Sequence, residues 1–281
     1  MTSFDKRLTP ARSDIAAAHL KGQVNAERFV AGAPHQVIVS TAAVRRSPAE
    51  DAMLETQILF GDGFTAYEVK DGWSWGQITS DGYVGFVRSA DLSAYIVTPT
   101  HEIAVLRTYA FSGPDLKSAP HMMLSLSSRI CVLEPDGKWV RAAHAGWIYA
   151  AHVRPLGAHA ADWVAEAERF VGAPYLWGGK DSFGLDCSGL MQTAMASAGI
   201  AAPRDTDLQE AQVGKAITID LGALKRGDMV FWKGHVGVML DGHRLLHANA
   251  HHMMTAIEPI REAVARINDA AGPVTSIRRT L

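Results

Sequence analysis

The sequence predicts an α+β protein, with a β-rich first half and a second half in which helices come before strands. Short runs alternate apolar and polar residues early in the chain, as in Gln36-Val-Ile-Val-Ser-Thr and Phe64-Thr-Ala-Tyr-Glu-Val, and alternation of this kind marks a strand with one buried face. Gly61-Asp-Gly, Asp71-Gly and Asp81-Gly interrupt those runs with the residue pairs that tight hairpin turns favour. After Pro155-Leu-Gly the apolar period changes to that of a helix, and later the strand pattern returns.

With 281 residues the chain suits one large domain or two to three small ones. Apolar residues make up 48% and charged residues 20%, enough apolar surface for a real core. The formal net charge of −2 supplies no basic field for nucleic acid or an anionic membrane, so neither is an expected partner. Two cysteines, Cys131 and Cys187, could form one disulfide but not a disulfide scaffold, which suits a reducing compartment. The N-terminal stretch carries Asp5, Lys6, Arg7, Arg12 and Asp14 with no apolar run of signal-peptide or membrane-spanning length. A cytoplasmic location is therefore expected if Met1 is the true start, and a secreted one if it is not. No cofactor is expected, and the oligomeric state is not legible.

Residues 1–34 read as a leader in which Ser13–Leu20 forms a short helix. Residues 35–95 and 96–157 read as two small β units related by a degenerate repeat. In the first, Tyr67-Glu-Val-Lys-Asp-Gly-Trp-Ser-Trp precedes Asp81-Gly-Tyr-Val-Gly-Phe-Val. In the second, Ile130-Cys-Val-Leu-Glu-Pro-Asp-Gly-Lys-Trp precedes Ala145-Gly-Trp-Ile-Tyr. A single continuous β domain is the alternative. Residues 158–281 then form the α+β part. A first helix over 161–171 places Trp163, Val164, Ala167, Phe170 and Val171 on one face, with Gly172 and Pro174 ending it. A second starts near Cys187 with a stripe of Leu190, Met191, Ala194, Ala198 and Ile200. Strands follow at Asp228-Met-Val-Phe-Trp, His235-Val-Gly-Val-Met-Leu and Arg244-Leu-Leu-His-Ala.

Cys187 lies where a Gly-rich loop (Gly178, Gly179, Gly184) feeds a helix. A helix N-terminus favours an anion, and a nearby imidazole would do more to lower the thiol pKa. His235 opens an apolar strand and is the candidate general base; His247 lies on the next strand. A two-residue turn at Asp241-Gly242 would pair residue 240 with 243. That register sets His247 opposite Val236 and leaves His235 on the other face, so a bulge is needed to bring the imidazoles together. Against catalysis stand an inert buried thiol and structural strand histidines. A zinc site from Cys187, His235, His247 and His251 or His252 is also conceivable, although no Cys-x-x-Cys or His-x-x-x-His spacing supports it.

Six motifs in order narrow the choice: Pro174-Tyr-Leu-Trp-Gly-Gly179, Leu185-Asp-Cys-Ser-Gly-Leu190, Pro203-Arg-Asp-Thr-Asp-Leu-Gln209, Leu224-Lys-Arg-Gly-Asp-Met-Val-Phe231, Gly234-His-Val-Gly-Val-Met-Leu and Leu246-His-Ala. Over residues 160–281 the chain resembles the NlpC/P60 family of cell-wall cysteine peptidases. The Gly-Trp and Gly-aromatic elements upstream resemble bacterial SH3 (SH3b) domains. The resemblance implies a papain-like α+β catalytic domain preceded by two small SH3b-like β-barrels. It makes Cys187 the nucleophile, His235 the base and His247 the third member, with no metal. The Cys187 N–H and the Tyr175 hydroxyl would stabilise the oxyanion, while Trp177 is expected in the core.

Members of this family with SH3b domains resemble γ-D-glutamyl-L-diamino acid endopeptidases. The substrate implied is a murein peptide, L-Ala-γ-D-Glu-diamino acid, with a free N-terminal amine. Asp186 and Ser188 would receive that amine, helped by Asp62 (or Glu55 or Glu68) and Tyr83 of the first SH3b unit. Muropeptide recycling is the expected role; a secreted hydrolase of intact wall and a dead wall-binding adaptor are the alternatives.

Overall fold

The computed structural model describes residues 4–280 and divides into two compact units, Met1–Leu156 and Gly157–Leu281. No helix among the described residues is long and apolar enough to cross a membrane.

In the first unit the leader is not helical. Ile15–Ala17 forms a strand parallel to Arg28–Val30, and only a 3-10 turn, Ala18–Leu20, follows it. An isolated helix this short is marginal in water, and here burial of Ile15, Ala16 and Ala17 favours strand pairing instead. Seven antiparallel strands come next, in the order Leu54–Leu59, Thr41–Arg45, Val84–Arg88, Trp73–Ile78, Gly63–Lys70, Ala33–Val37 and Leu92–Ser93. Their apolar positions meet in one core containing Val37, Val44, Ile58, Phe64, Ile78, Tyr83 and Val87. The Asp71-Gly72 turn has φ of 50° and 80°, the doubly left-handed backbone of a two-residue hairpin turn between Lys70 and Trp73.

A five-stranded sheet (Pro120–Ser125, Arg107–Phe111, Gly146–Tyr149, Trp139–Ala142, Val132–Asp136) and a three-stranded one (Arg129–Ile130, His101–Ile103, Val153–Pro155) complete the unit. Their core gathers Ile103, Ala110, Leu124, Ile130, Ala142 and Ile148 around Phe60, which arrives from the first sheet. The chain can pass so close there because residue 61 is glycine. Gly61 has φ 78°, and a Cβ on it would lie 1.8 Å from the Arg129 carbonyl oxygen.

In the second unit, helix α1 (Trp163–Glu168) is capped by Asp162, whose carboxylate accepts from the Val164 and Ala165 N–H groups. It ends earlier than its sequence pattern predicts, so Val171 falls outside the helical period and is exposed. Helix α2 (Cys187–Ser197) is buried on almost every side; the stripe predicted on it stops short of Ala198 and Ile200. Helix α3 is Thr206–Gln212 and α4 is Ile260–Ala271. A six-stranded antiparallel sheet runs Lys215–Ile217, Ser276–Arg279, Asp228–Trp232, His235–Met239, Arg244–Asn249, Met254–Pro259. α2 lies against His235–Met239 and Arg244–Asn249. Val230, Trp232, Met239, Leu245 and Ile277 pack against Ile260, Ala263 and Ile267 of α4.

The hairpin register differs from the two-residue turn expected at Asp241-Gly242. Met239 pairs with Leu245 and the Leu240 N–H donates to the Arg244 carbonyl, which leaves a three-residue loop, Asp241-Gly242-His243. The shift of one residue sets His247 opposite Gly237. His235, two residues further along, then falls on the same face as His247 without any bulge.

Gly61→Ala should destabilise the first unit by about 3 kcal/mol, since left-handed strain and overpacking each cost about 1–3 kcal/mol. Thermal unfolding checks this: the expected outcome is a lower midpoint with the activity of the second unit retained below the transition.

Candidate active site

Cys187 is the first residue of α2, and the residue before it builds the helix start. Asp186 is the N-cap: its Oδ1 accepts from the Gly189 N–H at 2.7 Å and its Oδ2 from the Gly178 N–H at 2.8 Å. The buried Arg204 guanidinium grips the same carboxylate at 2.9 and 2.6 Å and donates to the Ser188 hydroxyl at 2.9 Å. Asp186 and Ser188 were expected to receive the substrate amine. In the structure the Asp186 charge is neutralised by Arg204, and both its oxygens accept hydrogen bonds.

The thiol meets its partners from two sides. The Thr206 hydroxyl, in the first turn of α3, is 3.7 Å from Sγ, and the Gly234 carbonyl oxygen is 4.0 Å away. The Val236 N–H also bonds the sulfur. Cys187 therefore sits against the backbone on both sides of His235. His235 Nε2 is 2.8 Å from His247 Nδ1, and His247 Nε2 is 2.6 Å from Glu258 Oε1. Arg266 of α4 pairs with the same Glu258 oxygen. Glu258 lies on the third strand, where the register sets Leu245 opposite it and Ala256 opposite His247. The three side chains thus form a diagonal row across adjacent strands.

Burial dominates the electrostatics. It pushes the Cys187 thiol up to about 11, with the Asp186 charge adding to the rise and Thr206, Val236 and Arg204 opposing it. It also pushes the His235 imidazole down to about 3, assisted by His247 and Arg266 and opposed by Glu258. The expected lowering of the thiol pKa by the helix start is overridden, and the resting pair is neutral thiol and neutral imidazole. Tyr175 is half-buried, and its hydroxyl is raised well above the ordinary phenol by burial and by the charges of Cys187 and Asp186. Trp177, expected in the core, is 60% exposed.

The remaining candidates belong to the first unit. Tyr83 is buried in that unit's core. Asp62 accepts from the Gly63 N–H at 2.8 Å and the Ser80 hydroxyl at 2.5 Å, with Arg129 at 3.7 Å. Glu55 pairs with Arg46, and Glu68 with Arg12 and Arg28. Cys131 and Cys187 are both free thiols. The conceivable zinc set differs from the donors that cluster among the described residues, which are His247, His252 and Glu258, within 4.8 Å of one another. Two of those donors are already committed: His247 Nε2 to the Glu258 carboxylate, and that carboxylate to Arg266.

Thr206, Arg204, Glu258 and Arg266 were not assigned roles from sequence. Thr206 and Arg204 stand inside a recognised motif, Pro203-Arg-Asp-Thr. Glu258 could have been found by continuing the hairpin register onto Met254–Pro259.

A thiol at a helix start, packed against the backbone on both sides of a strand histidine, fits a hydrolase of the papain-like cysteine class. Residues 172–268 match the NlpC/P60 family and residues 44–92 match the bacterial dipeptidyl-peptidase Sh3 domain. The chain therefore carries an NlpC/P60 domain and a bacterial SH3 domain, and it is a cysteine peptidase of the NlpC/P60 type. It is similar to the gamma-D-glutamyl-L-lysine dipeptidyl-peptidase of Bacillus subtilis, with 26% identity over 219 residues, covering 70% of this chain and 73% of that one. The protein of the same name from Bacillus cereus is 28% identical over 240 residues, covering 74% and 71%. The crystal structure of an NlpC/P60 family protein from Bacillus cereus shares the fold, with a TM-score of 0.74 at 20% identity over 88% of this chain and 99% of that one.

Two outcomes test this site. Arg204→Met should leave the Asp186 carboxylate buried without its counter-ion and cost about 3–5 kcal/mol, read by urea unfolding. Alkylation of Cys187 by iodoacetamide should climb through the alkaline range, in keeping with a thiol near 11; a thiolate plateau at pH 5–7 would contradict the neutral pair.

Proposed function

We propose that this protein hydrolyses the γ-D-glutamyl–diamino acid bond of murein peptides that carry a free N-terminal L-Ala. The observation that carries the reading is the placement of Cys187 at the start of α2 against the backbone flanking His235, with His247 in bonding reach of that base. The names of the Bacillus relatives supply the bond, and their dipeptidyl-peptidase action supplies the free amine.

In this mechanism Cys187 Sγ attacks the amide carbonyl carbon as its proton passes to His235. The carbonyl electron pair moves to oxygen, where the Cys187 N–H and the Tyr175 hydroxyl donate to the oxyanion. His235 then protonates the leaving amine, and water, activated by the same imidazole, resolves the acyl-enzyme. His247 holds the ring of His235, the task an Asn or carboxylate performs elsewhere. Asp186 and Ser188 act one step back, by fixing the helix start.

We read residues 96–157 as a second, degenerate SH3b-like barrel and residues 35–95 as the first. Recycling of turned-over or imported muropeptides in the cytoplasm is the role we propose, because release of a dipeptide from a free amine is chemistry on loose peptides. Incubation of the full chain with synthetic L-Ala-γ-D-Glu-diaminopimelate, read by mass, should release L-Ala-D-Glu, and Cys187→Ala should abolish that release. Cleavage of intact sacculi without cleavage of the tripeptide would favour a wall hydrolase, and no cleavage of either would favour a binding adaptor.

A further inference from the structure

We propose that Glu258, held by Arg266, is a positioning residue that sets the tautomer of both histidines and so frees the imidazole nitrogen that takes the Cys187 proton. This rests on the reading of Cys187 as nucleophile and His235 as base.

The argument follows hydrogen-bond polarity outward from the carboxylate. Glu258 is held below the usual carboxylate range; burial opposes this, but the hydrogen bond from His247 and the charges of His247, Arg266 and His252 outweigh it. An ionised carboxylate only accepts. His247 Nε2, 2.6 Å away, must therefore carry a hydrogen and donate it. Burial keeps His247 neutral, with Arg266 and His252 assisting and Glu258 opposing. A neutral imidazole has a single N–H, so His247 Nδ1 is a lone pair. His235 Nε2, at 2.8 Å, must then be the donor between the two rings. His235 is neutral as well, which leaves its Nδ1 as the basic nitrogen.

The row has only two consistent settings. With the proton of His247 on Nδ1 instead, His235 Nε2 becomes the acceptor, the His235 hydrogen moves to Nδ1, and no lone pair is left for the thiol. A carboxylate at the far end selects the first setting and a hydrogen-bond donor there would select the second. Arg266 completes the device: its guanidinium only donates, so it fixes the Glu258 oxygen in place and offers no acceptor.

The chemical step then balances with one proton transfer. The S–H bond breaks, its proton forms a bond to His235 Nδ1, and sulfur bonds to the carbonyl carbon. His235 becomes an imidazolium whose Nε2–H still donates to His247, and neither His247 nor Glu258 changes protonation. The proton on Nδ1 next passes to the leaving amine nitrogen. His252 also bears on the row: its Nδ1 faces the Asn249 side-chain oxygen at 3.0 Å, and its charge acts on both His247 and Glu258.

The test uses the full chain, tripeptide cleavage and nitrogen-15 spectra of the histidines. Glu258→Ala should lower kcat by about 10–100-fold, the range for losing an orienting hydrogen bond behind a functional histidine, with KM little changed. Glu258→Gln should recover most of that rate, because Arg266 directs the amide oxygen toward His247 and the tautomer is kept. Both variants should move the acid limb of kcat/KM to lower pH, since the charge that favours the imidazolium is gone. The wild-type spectrum at pH 7 should show both histidines protonated on Nε2, and this measurement decides the matter if Glu258→Ala does not fold. Wild-type kcat with an unmoved acid limb in Glu258→Ala, or His247 protonated on Nδ1 in the wild type, overturns the proposal. Cleavage that survives Cys187→Ala would instead overturn the underlying reading of the nucleophile.

Discussion

Everything in the second unit is arranged around the carboxylate of Asp186. It caps α2, ties down the glycine loop through the Gly178 N–H, and neutralises the buried Arg204. Taking a carboxylate and a guanidinium out of water costs several kcal/mol per ion, and only well-made hydrogen bonds on nearly every lone pair offset it. Here two backbone N–H groups and a two-pronged guanidinium fill both oxygens. Arg204 and Thr206 stand two residues apart, so the same ion pair also presents the Thr206 hydroxyl to the Cys187 sulfur. Gly189 completes the constraint, because a Cβ there would lie 2.1 Å from the Gly179 carbonyl oxygen. The helix start and the glycine loop are pressed together at that contact, and Cys187 has little freedom left.

Such a site exacts an electrostatic consequence. A thiol raised from 9.0 to about 11 has lost thiolate stabilisation of about 3 kcal/mol. A helix terminus supplies only about 0.3–1 kcal/mol, so burial and the neighbouring Asp186 charge prevail. Burial likewise disfavours the His235 imidazole as a cation. The Cys187 thiol and the His235 imidazole therefore both rest neutral, and in the proposed mechanism charge separates only when substrate oxygen can take up the negative charge. Neutrality also makes the tautomer decisive, because a neutral imidazole offers one lone pair and its position matters.

The helix that begins at Cys187 and the strand that begins at His235 were legible because each local signal was complete in itself: a glycine loop before a helix, and an imidazole at the mouth of an apolar strand. The strands Asp228–Trp232 and Arg244–Asn249 were legible for the same reason, as unbroken apolar runs. What escaped depended on long-range contact. The Ile15–Ala17 strand forms only because Arg28–Val30 pairs with it, which an alanine-rich stretch does not announce. Asp186 beside Cys187 gives no sign in the sequence of Arg204, eighteen residues on, which folds against it. Glu258 and Arg266 lie in a strand and a helix whose patterns carry no chemical motif, and only the sheet order brings them to His247. Trp177 shows the converse, an aromatic in a Gly-rich motif that the fold leaves in solvent.

The register of one hairpin connects these themes. His235, His247 and Glu258 share a face because each is displaced by two residues from the position directly opposite its neighbour. Since side chains alternate with a period of two, a slip of one residue would send His247 to the other face and dissolve the row. A two-residue turn at Asp241-Gly242 would produce that slip. The three-residue loop prevents it, and the Asp241 carboxylate holds the loop by accepting from the His243 and Arg244 N–H groups and from the Arg244 side chain. Opposite His247 the position must also be nearly empty: a Cβ on Gly237 would lie 3.1 Å from the His247 Cβ and 2.8 Å from Leu245. The imidazoles therefore meet at 2.8 Å because a loop of the right length sets the register and a glycine leaves the rings room to cross the diagonal.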